Sequence, residues 1–360
     1  MRYIFHFLLC AFFSVGVDAK THKPLKEQFC DDFLVGCAID YPELNSTDER
    51  LHSLIRREFS ALVPANCMKA DHTEPREGEF HFEDGDRLIA LAKENGQVVT
   101  GHCLVWHSQC PSWMFRDSVG GEVSRERLIE RMRRHIYAVA GHYRGKVKGW
   151  DVVNEAIEWD GSYRQSLYYK ILGEEFIPLA FQFAHEADPE AELYYNDYGM
   201  DFKGRRETVV RLIRTLKERG LRIDAIGMQS HLSLDSNLKE YEKSMEAFAR
   251  EGVKVMVTEL DVSVLPWPGE RASAEVSQSY EYQEKYNPYR NGLPDSVARR
   301  QAAFYRQLFS IYRRHAKDIT RVTFWGVHDG TSWLNDFPVH GRTNYPLLFD
   351  RSLQRKDIRL

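Results

Sequence analysis

The stretch Lys148-Gly-Trp-Asp-Val-Val-Asn-Glu155 decides the fold. Residues 146–153 read as a buried strand, rich in Val with an aromatic inside it, and the polar pair Asn154 and Glu155 ends it. In parallel α/β sheets chemistry collects at the carboxyl ends of strands, so a carboxylate there with an amide beside it is a catalytic candidate. A second stretch, Val253-Lys-Val-Met-Val-Thr-Glu-Leu-Asp261, repeats the pattern as a strand ending in Glu259. Two glutamates at two strand ends are what glycoside hydrolysis requires.

Working outward, further strands are expected at residues 34–39, 59–64, 97–105, 193–196, 225–228 and 321–325. Helices are expected at 48–57, 85–95, 126–142, 173–188, 204–219, 238–251 and 296–317, several closed by Gly or Pro. Eight strands alternating with helices predict a single (β/α)8 barrel of the α/β class. Glu155 then ends strand four and Glu259 strand seven, facing each other over the barrel mouth. A carboxyl gap of about 5 Å predicts retention through a covalent intermediate and a wider gap inversion; the shorter gap is expected. Residues 265–294, with Pro266, Pro268, Pro288 and Pro294, form the one long irregular stretch. It reads equally as a sugar-contacting rim, through Tyr280, Tyr282, Tyr286 and Tyr289, or as an inert insertion.

A composition of 43% hydrophobic and 28% charged residues over 360 supports a large globular core. The net charge of -4 gives no argument for nucleic acid or an anionic membrane as partner. Arg2, the apolar run 4–17 and Val17-Asp18-Ala19 read as a cleavable signal peptide, residues 1–19. The catalytic barrel is then 20–360, secreted or periplasmic and monomeric. Cys30, Cys37, Cys67, Cys103 and Cys110 remain, an odd number that leaves at least one free thiol. Cys37, Cys67 and Cys103 read as small apolar fillers. Spacing permits a Cys30–Cys37 or Cys103–Cys110 bridge but does not show one.

Other strand ends donate amides, imidazoles and indoles to the same rim. They are Gly101-His-Cys-Leu-Val-Trp-His-Ser-Gln109, Asn196-Asp-Tyr198, Gln229-Ser-His231 and Trp325-Gly-Val-His-Asp-Gly-Thr-Ser-Trp333. Such groups bond sugar hydroxyls and stack on ring faces. His102, His107 and His231 are also metal-capable, but the barrel scatters them without a short His pair on a helix, which argues against a metal; no cofactor is expected. Trp113, Trp150 and Trp159 read as core or rim.

Together, Gly-His-x-Leu-Val-Trp-His-Ser-Gln, Trp-Asp-Val-Val-Asn-Glu, Gln-Ser-His, Thr-Glu-Leu-Asp and Trp-Gly-Val-x-Asp resemble the motifs of glycoside hydrolase family 10, over residues 33–356. That family consists mainly of endo-β-1,4-xylanases, so the resemblance implies xylan or xylo-oligosaccharides as substrate. It implies Glu155 as acid/base and Glu259 as nucleophile. It implies Asn154 on the 2-hydroxyl of the cleaved sugar, Gln229 beside that sugar, and His231 orienting the nucleophile. Lys69, His102, Trp106, Trp325 and Trp333 would line the glycone side, Asn66 the next sugar outward, and Tyr198 the leaving-group side. Asp261 would support His231 or the strand end, and His107 a neighbouring group. The family usually has Glu where this chain has Ala65, which withdraws a charged acceptor from the second glycone subsite. Gly199 stands where Asn is frequent, and the 265–294 loop is longer than in many members. Two other readings are a barrel glycosidase acting on β-glucan or short oligosaccharides, and a catalytically idle carbohydrate-binding barrel. The presence of both glutamates argues against the second.

Overall fold

The computed structural model describes residues 22–269 and 275–360, so the segment expected to be a signal peptide, residues 1–19, lies outside the described residues. The strands are β1 (Leu34–Ile39), β2 (Ala61–Pro64), β3 (Val98–Trp106), β4 (Gly149–Asn154), β5 (Glu192–Asp197), β6 (Ala225–Met228), β7 (His231–Ser233), β8 (Lys254–Ser263) and β9 (Ile319–Phe324). All pairings are parallel, and β1 hydrogen-bonds to β9, which closes the cylinder. Eight strands make the barrel. The three-residue β7 resumes after β6 and runs beside the upper part of β8. Helices fill the connections, and their ends follow local chemistry. Asp48 and Ser124 cap Glu49–Glu58 and Arg125–His142 by accepting backbone N–H bonds, and Gly96, at φ 65°, ends Glu83–Asn95. Among the described residues no helix is long and apolar enough to cross a membrane.

The strands are buried almost throughout, as expected where helices cover the outside of the sheet and side chains fill its inside. One contact shows how tightly the layers are matched. Trp150 of β4 is fully buried opposite Gly101 of β3, and a Cβ at Gly101 would lie 2.2 Å from the indole. The sequence there admits one large and one absent side chain.

Three expectations need correction. Strand four begins at Gly149 rather than residue 146, because Lys146 N–H closes a turn onto Tyr143. The expected helix 173–188 is Phe176–Ala187, entered through a tight turn at Gly173–Glu175, and a separate helix, Leu167–Leu172, precedes it. Glu259 does not end its strand: β8 runs on to Ser263 because β7 pairs with Asp261, Val262 and Ser263. The register against β9 shifts between Val257 and Leu260, so the glutamate sits in a bulge, a device that re-aims a side chain. The cysteines follow expectation: Cys30, Cys37, Cys67, Cys103 and Cys110 are all free thiols, with Cys37, Cys67 and Cys103 buried as fillers.

Candidate active site

At the carboxyl end of the barrel a cavity of about 170 Å³ brings together eleven of the twelve catalytic and substrate-binding residues expected at the site. These are Asn66, Lys69, His102, Trp106, Asn154, Glu155, Gln229, His231, Glu259, Trp325 and Trp333. Tyr198 lies in a neighbouring cavity of about 400 Å³ with Trp159, Trp267 and Leu265. His231 and Trp333 border both, so the two cavities adjoin there as one cleft, with both glutamates in the first.

Glu155 follows β4 directly and adopts φ 58°, a left-handed backbone that is costly for a residue with a side chain. Two backbone bonds hold it: its N–H donates to the Asn196 carbonyl at 2.9 Å, and its carbonyl accepts from Arg164 Nε at 2.9 Å. Its Oε2 accepts from Trp106 Nε1 and its Oε1 from Gln229 Nε2, both at 2.9 Å. Burial raises its pKa above the ordinary carboxyl range. The nearby Asp197 and Glu259 charges add to this, against the opposing field of His107 and the Gln229 bond.

Glu259 is buried to the same degree yet shifts the other way. Desolvation is the largest influence and raises its pKa. It is outweighed by the His231 hydrogen bond, by the charges of His102 and His231, and by the Asn196 bond, leaving the carboxyl below its ordinary value. His231 Nε2 stands 3.1 Å from Glu259 Oε2 and its Nδ1 2.9 Å from Asp261 Oδ2, whose oxygen also accepts from Trp333 Nε1 at 2.8 Å. Burial lowers the His231 pKa, but the carboxylates on both sides prevail and raise it to about 10, so the ring is a cation. One carboxyl is therefore biased toward its protonated form and the other toward its ionised form, the division of labour that acid–base chemistry on a glycoside needs.

Amides join the two. Asn196 Nδ2 donates to Asn154 Oδ1 at 2.9 Å and to Glu259 Oε1 at 2.8 Å, while Thr258 Oγ1 donates to Asn196 Oδ1 at 2.6 Å. Gln229 Nε2 reaches Asn154 Oδ1 at 3.2 Å. The Asn154 amide nitrogen has only a long 3.3 Å bond to Glu155 Oε1 and is left for a ligand. At the far end Lys69 Nζ donates to Asn66 Oδ1 and Gln109 Oε1 and lies 4.7 Å over the Trp106 ring. His102 Nδ1 pairs with Asp151 at 2.9 Å, and its ring meets Trp325 edge-on. Each of the three metal-capable histidines thus faces a carboxylate partner: Asp151 for His102, Glu275 for His107, and Asp261 with Glu259 for His231.

Sequence reasoning missed several residues here. Asp40, Glu43 and Thr331 line the cavity beside Ala65; Asp40 follows β1 directly, so the strand-end rule could have found it. Asn196 was seen only as part of a motif, although it bridges the site. Arg164 and Glu275, on irregular connections, gave no periodic signal. Of the long loop, Val276 lines the catalytic cavity, whereas Tyr280, Tyr282, Tyr286 and Tyr289 line neither cavity. Trp150 is core and Trp159 is rim. Trp113 is half-buried outside both, donating to the Glu74 carbonyl.

Comparison with known proteins places this geometry. Residues 24–359 match the model of glycosyl hydrolase family 10. The chain is 48% identical over 345 residues to endo-1,4-beta-xylanase A of Xylanibacter ruminicola, covering 96% of this chain and 94% of that one. It superposes with a TM-score of 0.90 on a GH10 endoxylanase retrieved from a sugarcane soil metagenome, at 43% identity, covering 93% of this chain and 97% of that one. It superposes with a TM-score of 0.81 on an intracellular xylanase of Thermoanaerobacterium saccharolyticum complexed with xylotriose, at 34% identity, covering 94% and 97%.

Proposed function

The chain belongs to glycosyl hydrolase family 10, and from that premise we propose that it is an endo-1,4-β-xylanase that cleaves internal bonds of xylan with retention of configuration. The observation that carries the reading is the opposite displacement of two buried carboxyls in one cleft: Glu155 upward, Glu259 downward.

Glu155 donates its proton to the leaving glycosidic oxygen as the C1–O bond breaks, and Glu259 bonds to C1 from the opposite face. Esterified Glu259 carries no charge, so Glu155, now ionised, loses a repelling neighbour. It takes a proton from the water that attacks C1, and Glu259 leaves as carboxylate. His231 and Asn196 hold Glu259 in line. Asn154, with its amide nitrogen open, takes the 2-hydroxyl, with Gln229 beside that sugar. Lys69, His102, Trp106, Trp325 and Trp333 receive the glycone ring, Asn66 the next ring, and Tyr198 the leaving-group side. The enzyme is expected to act as a monomer, checked by light scattering. The apolar run 4–17 supports export from the cytoplasm, checked by amino-terminal sequencing of the mature protein.

Proton resonance during digestion tests the chemistry: β-product appearing first is expected, and α-product first overturns retention. Early mixed oligomers from xylan are expected; early monomer or dimer alone, or preference for β-glucan, overturns the endo-xylanase reading.

A further inference from the structure

Both flanks of Glu155 converge on one carboxylate of the long loop. Arg164, which holds the Glu155 carbonyl through Nε, gives Nη2 to Tyr198 Oη at 2.9 Å and Nη1 to Glu275 Oε2. From the other side His107 Nε2 stands 3.6 Å from the same oxygen. His107 directly follows Trp106, the indole donor to Glu155 Oε2. The second oxygen, Oε1, accepts from Ser277 Oγ at 3.0 Å, which pins the carboxylate to its own loop. The neighbouring Val276 forms part of the catalytic cavity wall. The three groups are largely buried, at 12%, 15% and 17% side-chain exposure for Arg164, Glu275 and His107, so the pairs are shielded from bulk solvent. The cluster holds the Glu275 carboxyl down at about 2, through the adjoining His107 ring and the Arg164 charge, so it stays ionised while the enzyme works.

We propose that Glu275 is a positioning residue for the proton donor: it clips Arg164 and His107 together and thereby fixes where the Glu155 carboxyl points. Glu155 is in a left-handed conformation that its surroundings must enforce, and the Arg164 bond to its carbonyl is one of the two backbone restraints doing so. Glu275 lines neither cavity, so it acts through Arg164 and His107. The inference rests on the assignment of Glu155 as acid/base, and it gives the 265–294 loop a part in catalysis.

The test exploits leaving-group chemistry. A substrate whose aglycone is a poor leaving group needs the proton in the first step; a dinitrophenyl aglycone does not. Steady-state kcat/KM is measured for Glu275→Gln and Glu275→Asp on phenyl and dinitrophenyl β-xylobiosides. Glu275→Gln is expected to lose 10- to 30-fold on the phenyl substrate and under threefold on the dinitrophenyl one, and Glu275→Asp to recover most of the loss. Equal losses on both substrates, or no loss on either, overturn the proposal. Glu155→Ala, run alongside, separates the premises: if it too loses equally on both, the acid/base assignment fails and not merely the clip. Should Glu275→Gln not accumulate folded, Ser277→Ala, which loosens the carboxylate from its loop, is read against the same two substrates.

Discussion

His231 holds Glu259 through a 3.1 Å contact in which the ring is the cation and the carboxylate the anion. The proposed nucleophile is thus ionised by a partner that Asp261 keeps charged from behind, at 2.9 Å.

Replacing His231 by Ala removes both the bond and the charge. Glu259 then titrates higher, and the acid limb of kcat/KM moves up in pH. Charge-assisted bonds at about 1.5–3 kcal/mol predict roughly a 10- to 100-fold loss at the wild-type optimum. Stability follows with a definite sign. The raised His231 contributes fully below its unfolded value of 6.5 and is lost as pH rises through about 10. The lowered Glu259 contributes above its unfolded value of 4.5 and is lost as pH falls through its folded value. The Tm gap between wild type and variant is therefore widest between 4.5 and 6.5; a gap that stays flat up to pH 10 contradicts the ion pair.

Trp106→Phe tests the proton donor without touching it. The indole N–H bonds to Glu155 Oε2 at 2.9 Å, a contact that favours the ionised carboxyl. Without it the pKa of Glu155, already raised by burial, rises further, and the basic limb of the pH–rate profile moves alkaline by about one unit or more. A shift toward acid would mean that the indole bonds the protonated form instead. The ring also lies under Lys69, so a rise in KM accompanies the shift.

The order of these elements was legible because barrel strands announce themselves as short Val-rich runs, and a polar residue that interrupts such a run has few other reasons to be there. Asn154, Glu155, Gln229 and His231 were found that way. The bulge at Glu259 was not, because β8 is lengthened by pairing with three residues of β7, a long-range contact that leaves no mark on either segment alone. Arg164 and Glu275 were invisible for a related reason. They are 111 positions apart on irregular connections, and a charged residue in a loop reads as solvated until its partner is placed beside it. The free cysteines show the limit of spacing: Cys30 and Cys37 flank the entry to β1, yet the strand carries Cys37 into the interior while Cys30 stays exposed.

Gly227 in β6 is the quietest residue on which the site depends. A Cβ there would lie 2.3 Å from Asn196 Oδ1 and 2.9 Å from Thr258 Cγ2, both inside a barrel with no slack to yield. Asn196 cannot retreat without breaking its bonds to Asn154 and Glu259, at 2.9 and 2.8 Å. Gly227→Ala is therefore expected to act on catalysis and stability together. Overpacking costs about 1–3 kcal/mol of stability, read from urea unfolding. The lost Asn196 bond lets Glu259 titrate upward, so the acid limb of kcat/KM shifts to higher pH in the surviving folded enzyme. Replacing Asn196 by Ala as well restores the space but not the bond. The double variant should regain stability relative to Gly227→Ala while keeping the shifted limb. If stability and pH profile recover together, Asn196 is packing alone and does not tune the nucleophile.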